Sequence, residues 1–190
     1  GKEGVVYLID RDNMGQFNPI NNDQIRQSFQ GPSYGFWGTP GLWQNNLYVG
    51  GQYDPVKQFT FDPTTELFST SATSQSAHAF QFPGAALSIS SQGALHGIVW
   101  AIDASLYGYA SQSGGTNCYV VPVPPSCSGP AVLHAYNASN LATEYWNSTM
   151  AANHRDQAGN AVKFVPPTVA NGKVYLSTRT EVDVYGLLPQ

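Results

Sequence analysis

The chain is short of charge and of cysteine, and it lacks any long apolar run. Only 11% of its 190 residues are Asp, Glu, Lys or Arg, against roughly a quarter in ordinary soluble domains. Its eight basic residues form no cluster, the net charge is -4 and the pI is near 5.4. A nucleic-acid partner is therefore not expected. No stretch approaches the ~18 consecutive apolar residues of a membrane helix, so no membrane span is expected. The opening "GKEGVVYLID" has no initiator Met and no signal-peptide pattern. The expectation is a removed leader or a start inside a longer gene product. No Gly-rich phosphate loop, nucleophile elbow or metal-ligand triad stands out, so catalytic residues are unassigned and no metal site is expected.

The two cysteines, Cys118 and Cys127, flank a proline-rich loop in "NCYVVPVPPSCSG" with no histidine beside them. A structural zinc site wants four ligands and a redox pair wants Cys-x-x-Cys. The spacing favours a loop-closing disulfide, and with it an extracellular or periplasmic location. The alternative is two unrelated thiols in a cytosolic protein. Asn137 in "NAS" and Asn147 in "NST" match the glycosylation sequon, which matters only in a eukaryotic source.

What the chain does have is aromatics, glycine and proline. Aromatic residues make up 13%, with 19 Gly and 13 Pro, while the 42% hydrophobic content excludes disorder. This composition predicts an all-β protein of short strands and tight turns. Four stretches share one pattern: "GVVYLIDRDN", "VKQFTFDPTT", "VLHAYNASN" and "EVDVYGLLP". Each is a strand closed by a large apolar residue, then Asp10, Asp62, Asn137 or, in the last, Gly186. An Asx residue at a strand end bonds its own backbone two residues on and starts a turn, which gives the position a physical reason. The intervals are 52, 75 and 49 residues. The middle one holds a loop over 105–130, without which all three lie near a period of ~50, the range of propellers and related arrays.

The flanking stretches recur as well. "NLYVGG", "GIVWAID" and "KVYLSTR" precede the shared strand, and "WGTPGLWQ", "PGAALSISSQ" and "VPPTVANG" precede those. "IRQSFQG", "ELFSTSAT" and "TEYWNST" follow it. Four strands per unit describe a propeller blade. The expected organisation is a β-propeller of four-stranded antiparallel blades, incomplete and corresponding to a C-terminal half. It divides into a partial blade at 1–31, a blade at 32–75, a blade at 76–149 carrying the 105–130 loop, and a terminal partial blade at 150–190. The remaining blades would come from a longer chain or from another copy. A small four-bladed ring with irregular closure is the alternative.

"GKEGVVYLIDRDNMG", "PGLWQNNLYVGG", "GIVWAID" and "FVPPTVANGKVYLSTRTEVDVYGL" resemble the repeats of pyrrolo-quinoline-quinone (PQQ)-type propellers, the quinoprotein alcohol dehydrogenase-like family. The resemblance implies a quinone and a calcium ion over the central channel, and oxidation of alcohols or aldoses with an acidic general base. It also implies an Ala-x-Asp-x-x-Thr-Gly-x-x-x-Trp docking pattern. Here "AYNASNLATEYW" keeps Ala135, puts Asn137 at the Asp place, Asn140 and Leu141 at Thr and Gly, and Trp146 one position late. "TFDPTTELF" keeps Asp62 but lacks the Gly and Trp, and the family's adjacent cysteine pair is absent.

In such a fold the outer-to-inner and second-to-third loops share one face, and function gathers on loops carried by a rigid scaffold. That face would hold "GPSYGFWG", "QYDP", "SQSAHAFQF", the cysteine loop, "MAANHRDQAGN" and "TRTE". Its candidates are Tyr34, Trp37, Tyr53, Asp54, His78, His154, Arg155, Asp156 and Arg179. Tyr34 and Trp37 either stack on a ligand or pack between blades. His154 could be oriented by Asp156 for acid–base work. His96 and His134 read as structural. The leading functional expectation is a secreted or periplasmic, non-catalytic propeller that binds protein or carbohydrate and needs no cofactor. A PQQ- and calcium-dependent dehydrogenase and a structural subunit of an extracellular assembly are the alternatives.

Overall fold

The computed structural model describes residues 1–108 and 128–187. The Cys118–Cys127 pair and most of the 105–130 loop lie outside the described residues. Those described form an all-β structure of fourteen strands, with a single 3-10 turn at Ala152–His154. No helix among them is long and apolar enough to cross a membrane.

The strands fall into four antiparallel sheets taken in sequence order. The first pairs β1 (Val5–Leu8) with β2 (Gln27–Gln30). The second runs β3 (Gly41–Trp43), β4 (Asn46–Gly50) and β5 (Asp54–Asp62), and both β6 (Leu67–Phe68) and β7 (Ser74–Phe80) then pair with β5. The third is β8 (Ala86–Gln92), β9 (Leu95–Asp103), β10 (Val132–Asn137) and β11 (Glu144–Asn147). The fourth is β12 (Thr168–Ala170), β13 (Lys173–Ser177) and β14 (Val182–Tyr185).

Local chemistry accounts for the strand ends. The Asp10, Asp62 and Asn137 side chains each accept the backbone N–H two residues on, from Asp12, Thr64 and Ser139, at 2.8–2.9 Å. Asp103 repeats the motif on Ser105 at the end of β9. The β12–β13 hairpin turns on Asn171 and Gly172, both at positive φ (51° and 70°). The Asn-Gly pair supplies what this two-residue turn demands.

β7 departs from the sequence expectation. "SQSAHAF" reads as a loop because it is rich in Ser and Ala, and 75/76 reads as a boundary. Instead the segment is a seven-residue strand whose residues Phe80 and Ala79 pair with Asp54 and Pro55. The Ser76 hydroxyl takes the Val56 N–H across a bulge, and Phe80 is fully buried. The boundary therefore falls inside a strand.

Three apolar cores lie between successive sheets. Phe29, Val49 and Phe59 join the first to the second. Tyr48, Val56, Phe80, Leu87, Val99 and Tyr136 join the second to the third. Ile102, Leu133, Ala161, Val174 and Leu176, with Trp100 and Trp146 against them, join the third to the fourth.

A buried hydrogen bond crosses the middle core. The Tyr48 hydroxyl, on β4, donates to the carbonyl of Ala138 at 2.6 Å, and the Tyr48 side chain is fully buried. Burial pushes the Tyr48 phenol up to about 12 from its ordinary 10. The folded state thus holds the proton more tightly than the unfolded chain, and this contribution is lost as pH rises through 10 toward 12. Tyr48→Phe leaves the Ala138 carbonyl buried and unpaired, and should cost ~1–3 kcal/mol in urea unfolding. A loss under ~0.5 kcal/mol would mean that water reaches this carbonyl and that the two sheets are not sealed there.

Candidate functional site

The loops at one end of the second sheet are glycine-rich, and their backbones touch. An added Cβ at Gly50 would lie 2.6 Å from the Ala85 carbonyl oxygen, and one at Gly84 would lie 2.6 Å from the Gly51 carbonyl carbon. On this packed base stands a ridge of aromatic side chains. Tyr34 meets Tyr53 edge-on at 6.0 Å, Trp37 meets Phe82 edge-on at 5.9 Å, and Trp37 also contacts Phe164 at 6.4 Å. Phe82 continues to Tyr107 at 6.0 Å. The Trp37 indole N–H donates to Gln52 Oε1 at 3.3 Å, which ties the two ends together. Tyr34, Tyr53 and Phe164 remain 50–55% exposed and Trp37 38%. At one flank the Lys163 ammonium lies over the Tyr107 and Phe164 rings, at 4.8 and 5.3 Å. Arg179 donates to the Tyr107 carbonyl at 2.9 Å.

Tyr34, Trp37, Tyr53 and Arg179 thus belong to one surface, on which Tyr34 and Trp37 pack against neighbouring rings and still show an open side. Phe82 and Tyr107 sit in loops that the sequence assigns to this face without being candidates there, and Lys163 and Phe164 sit in a connector outside those loops.

The other candidates lie elsewhere. Asp54 is buried: its carboxylate accepts the Ser33 N–H at 2.6 Å and pairs with Lys57 Nζ at 2.7 Å. It ties the 31–35 loop to β5 and is not open to a ligand. His154 is exposed, and Asp156 does not orient it, because Arg155 grips that carboxylate with two bonds of 2.6 and 2.8 Å. That pair lowers the Asp156 carboxyl below its ordinary range, with the Arg155 hydrogen bond the leading cause. Arg155 and Asp156 border a cleft of about 740 Å³ between the third and fourth sheets, walled by Trp100, Trp146, Val169 and Tyr185. The two sequon residues are partly engaged: Asn137 caps its turn, and the Asn147 amide donates to Glu144 at 3.0 Å.

The sequence places His78 on a loop and gives His134 a structural reading, and the fold brings the two together. His78 projects from β7, Asp103 ends β9, and His134 sits on β10 opposite Ala101, two residues from Asp103 on the same face. The His78 and His134 rings stack at 4.8 Å and 21°, and Phe80 meets both edge-on at 4.7 and 5.3 Å. His78 Nε2 lies 2.8 Å from Asp103 Oδ2. His134 Nδ1 lies 2.7 Å from Glu144 Oε1, so this nitrogen carries the proton and donates. The other nitrogen, Nε2, is left buried and without a partner. Burial holds the His134 imidazole below its ordinary value, with Glu144 pulling the other way. Sequence spacing gave no sign of this cluster. Its members lie on three strands of two sheets, and β7 itself was not foreseen.

These donors do not fit the quinone–calcium pair that the repeat resemblance implies. Calcium takes six to eight oxygens, whereas the one group of three ligand-type side chains in reach of each other among the described residues is two imidazoles and a carboxylate. In place of the docking pattern's glycine, Leu141 is fully buried and its N–H bonds Ser74 Oγ. No family model, curated protein or solved structure matches this chain.

Proposed function

We propose that the chain is part of an exported β-propeller that acts as a non-catalytic scaffold and binds a protein partner through the aromatic ridge. The observation that carries this reading is the ridge: half-exposed Tyr34, Tyr53 and Phe164 with Trp37, fixed by ring contacts on loops whose backbones touch. Monomeric surfaces rarely keep such a patch without use. Tyr, Trp and Phe with a cationic rim are the residues that protein interfaces enrich. They already rest on neighbouring rings, so less side-chain freedom is lost on binding than for unsupported side chains. Four antiparallel sheets in sequence order, with a core between each successive pair, support the propeller reading. Further blades, from a longer chain or another copy, would extend the same array.

The test is comparative. Tag-free chain and its Trp37→Ala variant are titrated against exported proteins of the source organism and against a polysaccharide panel. The expected result is a stoichiometric protein complex that cross-links through Tyr53 and is weakened in Trp37→Ala by ~2 kcal/mol, about thirtyfold in Kd. Saturable polysaccharide binding with the same sensitivity would make the ligand a carbohydrate. A complex indifferent to Trp37 would remove the ridge as the binding surface.

A further inference from the structure

We propose that His78, Asp103 and His134 form a binding site for one transition-metal ion, with zinc the natural fit. This rests on residues separate from the aromatic ridge. Two imidazoles and one carboxylate are the donor set that zinc and its neighbours in the first transition row accept. Their ligating atoms all lie within 4.8 Å of one another.

Two features set this cluster apart from a chance gathering of polar groups. First, the outer bonds are in place. His134 Nδ1 is held by Glu144 at 2.7 Å, and Asp103 Oδ1 accepts the Ser105 N–H at 2.9 Å. Metal ligands are oriented by such second partners, which fix the tautomer and present the remaining lone pair. Second, that lone pair is the unpartnered one. His134 is 5% exposed, and its Nε2 has no hydrogen-bond partner. A buried acceptor left in this state is unfavourable, and a metal ion supplies what it lacks.

The geometry needs one adjustment. Zinc bonds of 2.0–2.2 Å place tetrahedral ligand atoms ~3.4 Å apart, so donors separated by as much as 4.8 Å must draw together by up to about 1.4 Å, while His78 Nε2 and Asp103 Oδ2, at 2.8 Å, move apart by about 0.6 Å, and the stacked rings must open. His134 is locked, but the His78 side chain is 39% exposed and has room to tilt. On ligation through Nε2, His78 moves its proton to Nδ1, and Asp103 turns from hydrogen-bond acceptor to ligand. Three protein ligands leave the fourth position for water.

The experiment uses the tag-free full chain after chelator treatment, titrated with zinc chloride alone by calorimetry and with cobalt chloride in the visible. One equivalent of zinc should bind, and cobalt should give the strong ligand-field bands of a four-coordinate site. His78→Ala, at the more exposed ligand, and Asp103→Asn should each weaken zinc at least tenfold under conditions where circular dichroism shows the variant fully folded. Glu144→Gln should weaken it by a similar factor, and His154→Ala should change nothing. Failure of the wild-type chain to take up zinc overturns the site. So does uptake that His78→Ala and Asp103→Asn leave intact, or uptake that depends on His154.

Discussion

Replacing Phe80 by alanine should cost ~3–5 kcal/mol, the range for deleting a fully buried aromatic ring. Against a total of ~5–15 kcal/mol for a domain this size, that is about a fifth or more of the stability. Phe80 has no exposed surface. It is the last residue of β7, paired with Asp54 at the start of β5, and it packs into the core between the second and third sheets. Beyond its pairing with β5 and a few polar bonds, β7 has no other large apolar side chain to hold it. Ser74, Gln75, Ala77 and Ala79 offer small or polar side chains of weak strand preference. The ring therefore docks the strand as well as filling space. The midpoint in urea should fall with an unchanged slope, since the surface exposed on unfolding is nearly the same. Phe80→Leu, which keeps most of the volume, should lose less than ~1.5 kcal/mol. Because Phe80 also sets the edge of both imidazoles, the alanine variant should place His78 less well for zinc. A loss below ~1 kcal/mol would show that β7 is not packed against the third sheet, and the histidine cluster would lose its basis with it.

β7 also marks the limit of what the sequence shows. Where a local residue decides the outcome, the reading is sound: Asx side chains close the turns after β1, β5 and β10, and Asn171–Gly172 turns the last hairpin. Where a distant contact decides it, local chemistry misleads. "SQSAHAF" has the composition of a loop, and its pairing with β5, backed by the burial of Phe80 and the Ser76 bond to Val56, makes it a strand. An inward alternation of Ser76, His78 and Phe80 is present in the segment, but alternation over three residues among small ones is a weak signal. The site divides in the same way. Tyr34, Trp37 and Tyr53 are legible as loop aromatics. Asp54 looks the same in sequence as an exposed acid, yet Ser33 and Lys57 consume it. His78, Asp103 and His134 meet only through pairing between strands far apart in the chain, and no local spacing encodes that.

Gly84→Ala should be nearly as damaging, at ~2–5 kcal/mol, and the cause is backbone. Gly84 sits at φ +87°, where a Cβ costs ~1–2 kcal/mol on its own. The added methyl would also lie 2.6 Å from the Gly51 carbonyl carbon and 2.8 Å from the Gln52 nitrogen. No side-chain tip is there to swing away, so the 51–53 loop must move, at the ~1–3 kcal/mol of overpacking. Gly93 separates the two terms. It has φ +61° with open space around its Cβ, so Gly93→Ala carries the conformational term alone, and the difference between the variants measures the contact. The displaced loop holds Gln52, which accepts the Trp37 N–H, and Tyr53, which meets Tyr34. Gly84→Ala should therefore weaken partner binding even under conditions where it is fully folded, whereas Gly93→Ala should not. Equal stability losses in the two variants would mean that the loops do not bear on each other. The ridge would then be mobile, and the case for it as a pre-formed binding surface would fail.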